Sequence, residues 1–239
     1  MSNSQDYKNP HESAQSVSSA FQKVDWGIIP YSTAYEKQQA LFEQALKAKS
    51  TGQKVNNTLI FCEHPHTITI GKNGKLNNLL YPESTLNENG ISLFHINRGG
   101  DVTYHGPGQL VVYPIFDLDT FHLGLKSYIH LLEEAVIQLL AMYEIKAERL
   151  EGAIGVWLDT NEPEKTKKIC AIGVKTSRYI TMHGLALNIN TDLDYFRFIN
   201  PCGFVDKGVT AMQAELGIKI DLNIVKKQLL AIFANLFRL

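Results

Sequence analysis

Hydrophobic residues recur with helical spacing in two long segments of the chain. Over residues 33–49 an apolar stripe at i, i+1, i+4 and i+5 follows Thr33 and Glu36, which have the spacing of a capping box. Over residues 127–143 the apolar positions keep to one face of the longest predicted helix. Shorter helices are predicted at 192–199, 209–217 and 222–237.

Short apolar runs that end at turn residues predict strands between these helices. The predicted strands cover residues 58–63, 67–71, 91–98, 109–118, 154–159, 168–175 and 179–190. They come in clusters, and regular alternation of strand and helix is absent. The pattern therefore predicts an α+β fold, with mixed β-sheets and flanking helices, rather than a doubly wound parallel sheet.

The chain begins with a polar segment that differs from the rest. Its first 24 residues are rich in Ser, Asn and Gln, have no apolar core of a secretory signal, and contain acidic residues but no Arg, unlike a mitochondrial transit peptide. We expect residues 1–25 to be a disordered tail and residues 26–239 to form one domain. Since no run of 18 apolar residues occurs, the expected protein is soluble and cytoplasmic.

Composition narrows the class of protein further. The chain has 239 residues, 44% of them apolar, which is enough for a substantial core. Its 23 Lys and Arg residues against 24 Asp and Glu give a net charge of -1, which excludes a globally basic nucleic-acid binder. The cysteine count of three is odd, which argues against a disulfide framework and leaves room for a reactive thiol.

The three cysteines lie in different sequence contexts. Cys62 (TLIFCE) and Cys170 (KICAIGV) fall in predicted strands, so both are expected to be small buried hydrophobic residues. Cys202 lies in the turn sequence Asn-Pro-Cys-Gly, where a thiol beside a cation can ionise and act as a nucleophile. A structural cysteine in a turn stays an open alternative. Lys168 belongs to a Lys-rich run, and by itself it is expected to be a solvated surface charge.

A glycine-rich segment lies between two predicted strands. Residues 98–109 contain four glycines, a proline and His105, so their backbone N–H groups could approach a ligand closely, although an ordinary tight loop is the alternative. The segment is neither a Walker A motif nor a dinucleotide-binding fingerprint. Of the eight histidines, His105 and His183 are the functional candidates, because each precedes a glycine at a strand end. Without CxxC or HExxH spacing, no metal or cofactor is expected.

Taken together, these segments resemble the octanoyltransferase family of lipoate biosynthesis, the lipoyl(octanoyl) transferases. The matching segments are EHPHTITIG (63–71), RGGDVTYHGPGQLVVYPI (98–115), KICAIGVK (168–175), HGLALNIN (183–190) and INPCG (199–203). The resemblance runs from about residue 26 to the C-terminus. The sequence departs from the family at His66 and Thr67, after Glu63-His64-Pro65, where family members more often have a second proline followed by a different residue.

The resemblance implies the α+β catalytic domain shared by lipoate ligases and biotin protein ligases. It assigns Cys202 as the acyl-thioester nucleophile and Lys168 as the cation that lowers the pKa of that thiol. It assigns acyl binding to Arg98, Gly99, Gly100, Asp101, Val102, Thr103, Tyr104, His105, Ala171, Ile172, Gly173, Gly184, Leu185 and Ala186. The N–H groups of Gly99, Gly100 or Gly173 are candidates for stabilising an oxyanion, and His105 for orienting the site.

The reaction implied by the resemblance transfers an octanoyl group from octanoyl-acyl carrier protein to a specific lysine of a lipoyl domain. It proceeds through a cysteine acyl-thioester and is the first step of lipoate biosynthesis on proteins. The expected acceptors are the lipoyl domains of 2-oxoacid dehydrogenases and the glycine cleavage H protein. No nucleic-acid or membrane partner is expected, and the enzyme is expected to be a monomer.

Two other classes of protein are alternatives on this fold. An ATP-dependent lipoate or biotin ligase would activate a free acid, but such ligases resemble one another in a GGG-containing stretch and in lacking a cysteine nucleophile. Here Arg98-Gly99-Gly100-Asp101 leads to His105, and Cys202 is present. A non-catalytic acyl-binding protein is the second alternative, and the presence of both Cys202 and Lys168 argues against it.

Overall fold

The computed structural model describes residues 20–74, 76–200 and 207–238. These residues form two mixed β-sheets with helices packed against them. The predicted α+β class is therefore confirmed. Among the residues that the structure covers, no helix has the length and apolar character needed to cross a membrane.

The larger sheet carries most of the strands. Its order is β1 (Gln22–Ile28), β2 (Thr58–Glu63), β6 (Gln109–Ile115), β10 (Ile180–Asn188), β9 (Lys167–Ser177), β8 (Ala153–Leu158) and β7 (Glu148–Leu150), and β11 (Gly208–Val209) pairs with the start of β9. The β1–β2 and β9–β11 pairs are parallel, and the others are antiparallel.

A smaller sheet lies beside it, with the order β4 (Ser92–His95), β3 (Thr67–Ile70) and β5 (Val102–His105). The helices are α1 (Tyr31–Ser50), α2 (Glu83–Glu88), α3 (Leu125–Ala141), α4 (Met212–Leu216) and α5 (Leu222–Leu236). Short 3-10 turns span Leu76–Asn78, Leu118–Phe121 and Leu193–Phe198.

The larger sheet is covered on both faces, and β2 shows why. Leu59 and Phe61 belong to the hydrophobic cluster formed with α3 and α5, whereas Ile60 and Cys62 belong to the cluster formed with α1. Successive side chains of a strand point to opposite faces, so a strand between two helical layers needs apolar residues at every position. The continuous apolar run TLIFCE meets this requirement.

The structure corrects several local predictions. Helix α1 begins at Tyr31 after Pro30, and no side chain caps it, so the capping box at Thr33 and Glu36 is wrong. Residues 22–25 belong to β1 rather than to the predicted tail, and residues 1–19 lie outside the described residues. β1 is an edge strand with mostly exposed or half-buried side chains, so it carries no apolar run that sequence patterning could detect.

Two further segments differ from their predictions for the same kind of reason. The glycine-rich segment, for which no strand was predicted, contains β5, which pairs along its whole length with β3. The helix predicted at 209–217 is divided into β11 and the short helix α4. Both differences arise from pairing with strands that are distant in sequence, which local periodicity does not report.

Candidate functional site

A cavity of about 580 Å³ lies between the 98–105 segment and strands β9 and β10. The predicted acyl-binding residues of all three segments line it, with the exception of Tyr104. Lys168 also lines the cavity, as do His183, Gln109 and Asn188. The fold thus brings together segments that are separated by up to some 90 residues in the sequence. The binding role of each residue stays a prediction.

Tyr104 lies elsewhere. Its side chain is fully buried in the core of the smaller sheet, where the hydroxyl lies 2.7 Å from Nδ1 of His66 and the ring stacks on Tyr195. The structure therefore places this side chain in a packed core rather than at the cavity. Its backbone carbonyl accepts a hydrogen bond from the amide of Gln109, at 3.1 Å.

Arg98 braces the glycine-rich segment. Its Nη2 donates to both the carbonyl and the hydroxyl of Thr69, each at 2.9 Å, and Nη1 donates to the carbonyl of Gly99 at 3.0 Å. The N–H of Gly99 donates to the carbonyl of Val174 at 2.9 Å. The smaller sheet is therefore fastened to β9 at this point. The N–H of Gly99 is already committed, which contradicts its expected role as an oxyanion donor.

Gly173 must be a glycine for this contact to form. A Cβ at Gly173 would lie 2.8 Å from the carbonyl oxygen of Gly99 and 3.2 Å from Cδ of Arg98. Non-bonded carbon and oxygen atoms do not approach so closely without displacement of one backbone segment. The Ile172-Gly173 sequence of the matched segment therefore allows the 98–101 loop to approach β9 closely.

Two buried histidines, His105 and His183, line the cavity. Nδ1 of His105 lies 2.8 Å from Oε1 of Gln109, and because that oxygen can only accept, Nδ1 carries the proton. Burial lowers the pKa of His105 to about 3 and that of His183 to about 3. Both rings are neutral at pH 7. His105 is therefore suited to orienting a bound group and is a poor proton acceptor at this pH.

His64 does not line the cavity, but its ring lies edge-on to that of His105, with the centroids 5.8 Å apart. Its Nδ1 lies 2.8 Å from the carbonyl of Ile29, and Nε2 lies 2.7 Å from the hydroxyl of Tyr113. Burial lowers the pKa of His64 to about 4. Within the described ranges, no group of three or more His, Cys, Asp and Glu side chains is arranged to hold a metal ion.

Lys168 lies at the start of β9 and is only 8% exposed. The expectation of a solvated surface charge is therefore wrong. Its ammonium nitrogen lies 4.4 Å from the ring centroid of Trp157. The burial of Lys168 could not be predicted from its own Lys-rich segment, because it depends on Trp157 in the neighbouring strand β8.

Two of the three cysteines have the burial that the sequence predicted. Cys62 and Cys170 are fully buried, and burial raises the pKa of each thiol well above its usual range. Their prediction as buried hydrophobic residues is confirmed. Cys202 lies outside the described residues. The described chain resumes at Lys207, and the following Gly208 and Val209 pair with Lys167 and Lys168.

Several polar side chains of the site were not singled out from the sequence. Gln109 and Asn188 lie in the matched segments, but their role as linked buried amides becomes visible only in the folded chain. Trp157 was assigned only to a strand. The signal available in the sequence was a polar amide within an otherwise apolar strand segment, since such a group needs a hydrogen-bond partner when it is buried.

Comparisons with known proteins agree with this architecture. The family model of the lipoyl protein ligase A/B catalytic domain matches residues 31–234. An octanoyltransferase from Parabacteroides distasonis is 59% identical over 218 residues, which cover 91% of this chain and 99% of that protein. The chain belongs to this family, among the octanoyltransferases. The resemblance inferred from the five segments is thereby confirmed.

Solved structures confirm the fold. The bi-partite lipoate protein ligase of an archaeal lipoylation system from Thermoplasma acidophilum superposes with a TM-score of 0.66 at 18% identity, over 90% of this chain and 83% of that chain. A biotin protein ligase from Aquifex aeolicus superposes with a TM-score of 0.50 at 14% identity, over 91% of this chain and 69% of that chain. The chain therefore has the lipoate and biotin protein ligase fold.

Proposed function

We propose that this protein transfers an octanoyl group from octanoyl-acyl carrier protein to a lysine of a lipoyl domain, through a thioester on Cys202. The chain is an acyltransferase, since it belongs to the octanoyltransferases, and its activity serves lipoate biosynthesis. The observation that carries the finer proposal is the buried Lys168 at the cavity wall, paired through its backbone with the chain that follows Cys202.

The cavity has the properties that an acyl chain requires. Its volume of about 580 Å³ lies in the usual range for small-molecule sites. Apolar side chains such as Val111, Ile172 and Leu185 line it, and the N–H of Gly99 joins the 98–101 loop to the Val174 carbonyl of β9. An eight-carbon chain would gain free energy from transfer out of water into such a slot.

A lysine cation beside a cysteine gives the thiol its reactivity. A free thiol with a pKa near ~8.5 is mostly protonated at neutral pH. An ammonium within a few ångströms favours the thiolate, and this attraction is stronger in a buried site than in water. Lys168 is buried at the cavity wall and can supply that charge.

The proposed reaction has two half-reactions in which protons balance. The Cys202 thiolate attacks the incoming thioester, and the departing carrier thiolate takes a proton from the Lys168 ammonium. The amine of the acceptor lysine then attacks the acyl-cysteine, its surplus proton passes to neutral Lys168, and the Cys202 thiolate leaves. The products are an amide and a free carrier thiol.

Lipoyl domains of 2-oxoacid dehydrogenases and the glycine cleavage H protein are the acceptors that we propose. The structural relative from Thermoplasma acidophilum was studied with its E2 lipoyl domain, which supports this class of acceptor. We also propose that the enzyme is a monomer and acts in the cytoplasm.

Intact-mass measurement after incubation with octanoyl-acyl carrier protein tests the nucleophile. We expect one octanoyl adduct that maps to Cys202 and is absent from Cys202→Ser, while Cys62→Ser, in which a buried thiol is changed, retains it. An adduct on another residue, or none, would contradict the thioester intermediate. Consumption of ATP with free octanoate would instead indicate a ligase.

A further inference from the structure

The side chain of Lys168 rests on strand β8. A Cβ built on Gly155 would lie 3.5 Å from Cε and 3.7 Å from Cδ of Lys168, so the aliphatic part of the lysine covers the glycine backbone. Gly155 has a φ of +125°, and the same Cβ would lie 2.6 Å from the carbonyl oxygen of Cys170. Only glycine fits this position.

Trp157 supports the charged end of the same side chain. It is two residues beyond Gly155 in β8 and pairs in register with Lys168 of β9. The ammonium lies 4.4 Å from the ring centroid, and the tryptophan is 1% exposed. The indole Nε1 donates to the carbonyl of Ala153 at 3.0 Å, which fixes the ring plane.

Helix α3 holds β8 in place behind these residues. The N–H of Gly155 donates to Oε1 of Glu133 at 3.1 Å, and Nε of Arg149 donates to Oε2 of Glu133 at 3.1 Å. Arg149 also donates to the Glu134 carboxylate at 2.7 Å. The Glu133 carboxylate is thus committed to the Gly155 backbone and to Arg149.

We propose that Trp157 is a positioning residue that holds the Lys168 ammonium at the cavity wall for the transfer reaction. The inference rests on the proposed function of Lys168 and adds an aromatic ring that contacts its ammonium. The face of an indole ring attracts an ammonium through its quadrupole, most strongly when the pair is removed from water. Because Trp157 and Lys168 are both buried, their contact belongs to this stronger class.

The same chain offers a matched control. Trp26 is the other tryptophan, and the ammonium of Lys37 lies 5.5 Å from its ring centroid. Neither of these residues lines the cavity. Replacement of Trp26 by Leu removes a tryptophan and a cation–π contact while leaving the site unchanged.

The test measures the single-turnover rate of cysteine acylation by octanoyl-acyl carrier protein against pH. For Trp157→Leu we expect a loss of roughly tenfold at neutral pH and a pH midpoint displaced upward, because the cation that favours the thiolate is less well placed. Trp157→Phe should recover part of both, and Trp26→Leu should match the parent enzyme. A uniform loss at every pH, with no displaced midpoint, would overturn the inference.

Fluorinated tryptophan keeps the experiment decisive if Trp157→Leu fails to fold. Incorporation of mono- to tetrafluorotryptophan into a Trp26→Phe background should lower the acylation rate stepwise, since fluorine weakens the ring quadrupole with little change of shape. Equal rates across the series would overturn the inference.

Lys168→Ala separates the two proposals. If Lys168→Ala is acylated at the parent rate, the proposed function of Lys168 is wrong. If Lys168→Ala is impaired but the Trp157 variants are acylated at the parent rate, only the positioning role of Trp157 is wrong.

Discussion

Gln109 on β6 and Asn188 on β10 are joined by a buried hydrogen bond, in which Nε2 of Gln109 donates to Oδ1 of Asn188 at 2.9 Å. Nδ2 of Asn188 donates to the carbonyl of Thr210 at 2.9 Å, and the N–H of Thr210 donates to the carbonyl of Lys168 at 3.0 Å. These bonds connect His105, which contacts Gln109, with the strand that carries Lys168.

Replacement of Asn188 by Ala should destabilise the protein. The change leaves the Thr210 carbonyl and one N–H of Gln109 buried without these partners, at a cost of about 1–3 kcal/mol for each buried group. Urea unfolding of the variant measures the loss. Asn87→Ala, at an exposed position of α2, is the control and should change stability by less than about 0.5 kcal/mol. Equal stabilities of the two variants would contradict the account of the network.

Ala171→Leu should shorten the acyl slot. Ala171 lines the cavity and pairs with Ala186, so three added carbon atoms would occupy space that the octanoyl chain needs. We expect octanoyl transfer to fall by about tenfold or more, while transfer of a butyryl group is retained. Rates with acyl carrier proteins of different chain length provide the measurement. Ala141→Leu, at the exposed end of α3, is the control and should leave both rates unchanged. An equal loss for both acyl groups in Ala171→Leu would contradict the binding of the octanoyl chain beside Ala171.

The buried histidines should make stability depend on pH. Burial lowers the pKa values of His64, His105 and His183 to between about 3 and about 4, from 6.5 in the unfolded chain. Below pH 6.5 the unfolded chain therefore binds more protons, so this stability is complete above pH 6.5 and declines as the pH falls toward 4. Each histidine contributes up to about 1.4 kcal/mol per pH unit in this window.

Urea unfolding at several pH values between 7 and 4.5 measures this slope. His105→Gln should give a shallower slope than the parent protein, because one of the three groups is removed. His95→Gln, which changes an exposed ring, is the control. A His105→Gln slope equal to that of the parent would show that His105 does not titrate differently in the two states.

Cys62 and Cys170 should resist alkylation in the native protein. Both thiols are fully buried, and burial raises their pKa, so neither access nor thiolate is available at neutral pH. Iodoacetamide followed by peptide mapping should modify Cys202 alone, and all three residues after addition of urea. Native Cys202→Ser should take up no label, and rapid native labelling of Cys62 or Cys170 would contradict the structure.

The local pattern predicted the elements that are buried on a regular face. Strand β2 was found with its observed bounds because both of its faces are covered, and α3 was found to within two residues because one face is continuously apolar. Strand β1 was missed because an edge strand with exposed side chains lacks such a pattern. Strand β5 was missed because its glycine-rich surroundings are typical of a loop, and only its pairing with β3 makes it a strand.

Some parts of the candidate site could likewise be located from the sequence, whereas others could not. The segments at 98–105, 171–173 and 184–186 could be located from the resemblance, and the fold brings them to one cavity. Tyr104 belongs to the first of these segments, but its side chain lies in the core of the smaller sheet rather than at the cavity. The expected surface position of Lys168, read from its own segment, was wrong because Trp157 and Gly155 bury it.

The sequence by itself determined the α+β class, the family, and the burial of two of the three cysteines, because each of these can be inferred from patterns within short segments and from their order along the chain. The tertiary structure alone decided which polar groups meet. Gln109 and Asn188 are 79 positions apart, and Lys168 meets Trp157 across two paired strands. Such contacts depend on strand order and register, and a one-residue change of register would turn these side chains to the opposite face of the sheet.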